Sequence, residues 1–96
     1  MHVVNQRVEV ITVFRQQGEV GLLCYPAKMK YQGHEVLFTE LGLRHPTAKG
    51  KRMVHVFDMS DGNSDYRLEF DAEALTWTLV AILEGQGGGY NAASST

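Results

Sequence analysis

From Arg7 to Arg15 the chain alternates, with Val8, Val10, Thr12 and Phe14 on one face and Glu9, Ile11 and Val13 on the other. A period of two, carried by β-branched side chains that lose rotamer freedom in a helix, predicts a strand. Both faces are fairly apolar, which predicts a place in the middle of a sheet. Gln16-Gln17-Gly18 follows as a turn, and Val20 to Tyr25 reads as a second strand. Pro26 cannot donate to a ladder and so marks an edge, a bulge or a corner. Beyond it, Ala27, Met29 and Tyr31 alternate with Lys28 and Lys30, giving a third strand one apolar and one cationic face.

Gln32-Gly33 has the spacing of a tight hairpin in which Gly33 takes the left-handed position. Residues 35–43 carry two competing patterns. Val36, Leu37, Phe38, Leu41 and Leu43 sit loosely at helical spacing, but Gly42 falls inside the segment and Phe38 and Thr39 favour a strand, which is the preferred reading. Leu43 to Arg52, with Pro46, Gly50 and several cations, predicts the longest irregular connection. Alternation resumes at Met53–Met59, pauses at the turn formers Ser60-Asp61-Gly62-Asn63-Ser64, and continues as Tyr66, Leu68 and Phe70 against Arg67, Glu69 and Asp71. After a single turn at Asp71 to Ala74, a last strand places Leu75, Trp77, Leu79, Ala81 and Leu83 on one face. Its second face is also mostly uncharged, so this strand too is expected to lie centrally or to be covered.

Taken together, the elements predict an all-β fold, a small antiparallel barrel or rolled sheet of six to seven short strands. The domain is expected to span residues 3–84. The glycine-rich segment 85–96 buries too little to offset its ordering entropy and is expected to be a flexible C-terminal tail. Ninety-six residues leave too little chain for a second apolar interior.

Composition narrows the function. A net charge of -2 argues against indiscriminate attraction to nucleic acid. The one cysteine, Cys24, cannot close an intrachain disulfide, which favours a reducing compartment. With no secretory signal pattern and no apolar run long enough for a membrane span, a cytoplasmic location is expected.

No catalytic signature is present: there is no nucleophile elbow, and no glycine-rich loop followed by Lys-Ser or Lys-Thr. Asp61-Gly62-Asn63-Ser64-Asp65 begins like a calcium loop but has Tyr66 where that loop needs glycine and Ala72 where it needs glutamate, so a plain turn is the better account. His2, His34, His45 and His55 fit no zinc spacing. Neither a metal nor a cofactor is expected, and no catalytic residue is assigned. Trp77, in register with Leu75 and Leu79, reads as core rather than as a stacking platform.

Charge is divided along the chain. Residues 26–55 hold six cations against two acids, and residues 56–96 one cation against seven acids. Lys28, Lys30, Tyr31, Arg44, His45, Lys49, Lys51 and Arg52 therefore form a candidate contact for an anion or an acidic partner surface. The competing reading is that neighbouring strands of opposite charge neutralise each other across the sheet. The leading functional expectation is a small non-catalytic interaction module, working through protein–protein contacts as a homodimer or an adaptor. One alternative is a nucleic-acid-binding barrel that uses the cationic strand 28–31 and the loop 44–52; another is a small-ligand pocket protein. A protein partner or self-association is expected, and a membrane is not.

Overall fold

A computed structural model describes residues 2–17 and 21–84. Seven strands follow one another: β1 His2–Gln17, β2 Gly21–Tyr31, β3 His34–Leu37, β4 Glu40–Lys49, β5 Arg52–Ser60, β6 Ser64–Asp71 and β7 Thr76–Glu84. All are antiparallel and belong to one sheet of order β3-β2-β1-β7-β6-β5-β4. The fold is all-β and antiparallel, as the alternation and the turn spacing predict, and of the two forms expected the sheet is the open one, not a closed barrel. No helix occurs among the described residues, so none is long and apolar enough to cross a membrane. The expected tail, residues 85–96, lies outside the described residues, as does Gly18 of the first turn.

The roll follows from chain length. The edge strands β3 and β4 stand six strand spacings apart in the order, about 29 Å in a flat sheet. Only Phe38 and Thr39 join them, a connection that reaches about 11 Å at most. The sheet must therefore curl until its edges approach. The connector is bonded to both sides of the seam: the Phe38 amide donates to the Ala27 carbonyl of β2 at 3.0 Å, and the Thr39 amide to the Ser60 carbonyl of β5 at 2.8 Å.

Inside the roll, alternate residues of neighbouring strands form the core. Phe57 and Met59 of β5 face Leu68 and Tyr66 of β6, with Trp77, Leu79 and Ile82 of β7 beyond and Met29 of β2 closing the other side. Trp77 is buried as expected, with its ring centre 5.3 Å from that of Phe57 and 4.8 Å from that of Phe70. Its indole N–H donates to Thr12 Oγ1 at 3.1 Å, which satisfies the one polar atom that burial would otherwise orphan. β1 and β7 occupy the interior of the strand order, as their two apolar faces predict.

Three local expectations need correction. Residues 43–52 are not an irregular connection: 40–49 is a ten-residue strand, joined to β5 by the two-residue turn Gly50-Lys51. Pro46 is tolerated there because β4 is an edge, with a ladder on one side only. Over the described residues the strands expected at 20–25 and 27–31 are one strand, Gly21–Tyr31, since Thr12 pairs with Pro26 and Ile11 with Lys28, leaving Ala27 as a bulge beside the proline; Val20 lies outside the described residues. On β7, Leu75 lies in the turn and is 74% exposed, and Ala81 and Leu83 face away from Trp77 because Val80 is an extra residue opposite the Arg67–Leu68 step. Segment 35–43 is extended, as preferred, and Gln32-Gly33 is a two-residue turn with φ of 51° and 77°.

The turns after β5 and β6 are held by aspartates. Asp61 Oδ1 accepts the amides of Asn63 and Ser64, both at 2.8 Å, and its Oδ2 accepts the Tyr66 hydroxyl at 2.9 Å. This is a turn with its side-chain cap, the plain reading of the calcium-like run. Asp71 Oδ1 likewise accepts the amides of Glu73 and Ala74. Partial desolvation pushes the Asp61 carboxyl up, but the Ser64, Asn63 and Tyr66 donors together outweigh it and hold the group below its ordinary value. Its stabilising contribution is therefore complete above the ordinary aspartate range and is lost as pH falls through the depressed native value. Asp61→Ala should cost about 1–2 kcal/mol at neutral pH, and urea melts across pH 2–7 should show a shallower acid limb than in the parent protein.

Leu75 sits at φ 59° with its amide donating to the Asp71 carbonyl at 2.7 Å. A left-handed backbone costs an L-residue about 1–2 kcal/mol, and glycine returns part of that as unfolded-state entropy. Since the leucine side chain buries little, Leu75→Gly should raise stability by about 0.5–1 kcal/mol, read from the denaturation midpoint.

Candidate functional site

Three irregularities in the ladders fall in one transverse row. Gly42 of β4 is an extra residue between Leu41, opposite Met59, and Leu43, opposite Asp58. Val80 of β7 is extra opposite the Arg67–Leu68 step of β6. The β1–β7 ladder skips between Val3 and Gln6, where Asn5 adopts φ 51°. The row is continuous in register, since Asp58 pairs with Arg67, Arg67 with Ala81, and Ala81 with Val3. Each bulge bends its own strand. Aligned across neighbouring strands, they crease the outer face, and that crease is a groove of about 770 Å³.

Small residues make its floor and larger apolar ones its walls. Ala81 and Ser60 are buried, whereas Val3, Leu41 and Leu83 remain exposed at 63%, 39% and 37%. Gly42 suits a close approach: a Cβ there would stand 3.2 Å from the Asp58 carbonyl oxygen, tighter than ordinary contact. Across the groove the Arg67 guanidinium meets the Asp58 carboxylate through two hydrogen bonds, Nε to Oδ1 at 2.9 Å and Nη2 to Oδ2 at 3.1 Å. The hydrogen bond to Asp58 and its charge raise the arginine further above its ordinary value. Along the next row Glu40, Ser60, Asp65 and Leu83 stand side by side in register. Among the described residues, neither Glu40 nor Asp65 has an ion-pair partner for its side chain.

The residues singled out from charge alone are distributed differently. Lys28 pairs with Glu35 at 3.6 Å, Lys49 with Glu69 at 3.1 Å, and Arg52 with Asp71 and Glu73, each at 3.3 Å. Cross-strand neutralisation, the competing reading, thus accounts for these three cations. Tyr31 packs against the core. Lys30 stands on β2 opposite Glu9 and Glu35, His45 on β4 opposite Val56, and Lys51 in the β4–β5 turn. Arg44, opposite Phe57, acts across the seam on Cys24 of β2, where burial pushes the thiol up and the guanidinium charge partly opposes it. A thiol held in its neutral form is a poor nucleophile, consistent with a packing role. Among the described residues no group of three or more His, Cys, Asp or Glu side chains could hold a metal ion.

One of these ion pairs also shapes the outer surface. Lys49 and Glu69 belong to β4 and β6, so their contact passes over β5, where Val54 and Val56 point outward yet are only 5% and 4% exposed. The aliphatic stems of such long side chains cover apolar surface while their heads stay wet. Sequence reasoning missed the groove because bulges shift register without a compositional mark. Gly42 inside an extended segment was the one signal that could have located it. Lys49→Ala should cost about 0.5–1 kcal/mol, mostly through uncovering the two valines, and the loss measured by urea melts should persist at high salt.

No family model, curated protein or solved structure matches this chain.

Proposed function

We propose that this protein is a small non-catalytic interaction domain that holds a protein partner in its outer-face groove, as an adaptor for another chain or by pairing with a second copy. The observation that carries the reading is the groove's composition: an apolar rim of Val3, Leu41 and Leu83 left in water around an Arg67–Asp58 pair that already satisfies itself. Concave apolar surface of this kind gains by being covered, and a pre-paired ion at its centre can be desolvated without being left partnerless. The nucleic-acid reading draws less support. Lys28, Lys49 and Arg52 spend their charge on acids of the same sheet, and the groove itself carries surplus carboxylates. A small-ligand reading draws on the groove's volume, which falls in the range of about 300–1,000 Å³ common for such sites.

Photo-crosslinking tests the proposal. With p-benzoylphenylalanine replacing Leu83 at the rim, irradiation in the native cell should give a discrete polypeptide adduct. The same group replacing Leu75 on the far hairpin should not. Adducts of equal yield at both positions, or none from the rim, would overturn the reading.

A further inference from the structure

Building on the groove as a protein-binding face, we infer that its partner is a segment of another protein in which apolar side chains alternate with lysine or arginine. The argument is one of charge within an apolar frame. Among the described residues, the Asp, Glu, Lys and Arg side chains that line the groove are Glu40, Asp58, Asp65 and Arg67. Arg67 is spent on Asp58 through two hydrogen bonds, which leaves Glu40 and Asp65, among the described residues, as uncompensated negative charge beside the exposed Leu41 and Leu83. These two carboxylates lie on β4 and β6 in one row, with Ser60 of β5 between them, and therefore about 10 Å apart. Long cationic side chains two residues apart on one face of an extended segment can reach both carboxylates, while the residue between them points to the other side of the segment.

The same charge weighs against other occupants. A second copy docking groove to groove would bring its own Glu40 and Asp65 against these, and like charges facing each other across an interface are repulsive. An acidic peptide or a nucleic-acid strand would meet the same repulsion. Edge pairing on β4 is a weaker route, because Pro46, Arg44 and Lys49 blunt that edge in the way natural sheets discourage strand addition.

Fluorescence anisotropy on the full chain, at physiological ionic strength, separates these cases with three labelled heptapeptides. One alternates leucine with lysine, the second replaces lysine with glutamate, and the third replaces it with serine. The lysine peptide should bind best and weaken as salt is raised. The double charge reversal Glu40→Lys, Asp65→Lys should weaken it by about tenfold and turn the preference towards the glutamate peptide. Because that reversal adds binding as well as removing it, misfolding cannot imitate it. Equal binding of the lysine and glutamate peptides, or a preference unmoved by the reversal, would overturn the inference. If Leu41→Asp nonetheless abolished binding of every peptide, the groove would stand as a protein-binding face with a different partner chemistry. Concentration-dependent association of the protein alone, abolished by the same reversal, would also overturn it by making a second copy the occupant.

Discussion

The structure depends on a connection too short for a flat sheet. Two residues, Phe38 and Thr39, join strands that stand at opposite ends of the strand order, and only a roll brings those ends within reach. The consequence runs through the whole molecule. Successive strands are neighbours everywhere except at the seam, β1 is brought against β7, and one face of each inner strand is turned to a common interior. β4 contributes none of the buried hydrophobic core, and its inward positions opposite Phe57 and His55 are Arg44 and Pro46. An edge with a guanidinium and a proline on its inner side has little to gain from closing over the core, which is a physical reason for the roll to stop short of a barrel.

The outer surface is organised by two devices that compete for it. Near the β4–β5 turn, ion pairs reach across strands and shelter Val54 and Val56, so that apolar outer positions are covered from within the chain. At the other end the bulges at Gly42, Val80 and Val3–Gln6 crease the sheet, and the apolar side chains beside them are left without such cover. The division of charge along the chain therefore has two destinies. Half of the cations of the basic segment are paired, Lys49 and Arg52 with acids of β6 and the turn after it and Lys28 with Glu35 of β3, while Glu40 and Asp65 stand together where the surface is concave and apolar.

Strand identity was legible from the residues because it is a local property. Alternation and β-branching place β1, β5, β6 and β7, and the Gln32-Gly33 and Asp61–Ser64 turns follow from residues that tolerate or cap reversals. The burial of Trp77 and the central place of β1 and β7 were equally readable, since both depend on which faces are apolar. β4 was not: Pro46 and the cations around it carry the marks of a loop, and they are admissible in a strand only because that strand has a ladder on one side.

What the sequence determined by itself, then, is the all-β class, the main hairpins and most of the side chains that face inward, because period and turn chemistry act over a few residues. Tertiary structure alone decided the register. One extra residue at Val80 sends Ala81 and Leu83 to the opposite face from the one simple alternation assigns them, and only pairing with Arg67 and Val3 makes that shift visible. The groove, the engagement of Asp58 with Arg67 and the isolation of Glu40 and Asp65 all follow from partners distant in sequence, whose juxtaposition no local pattern encodes.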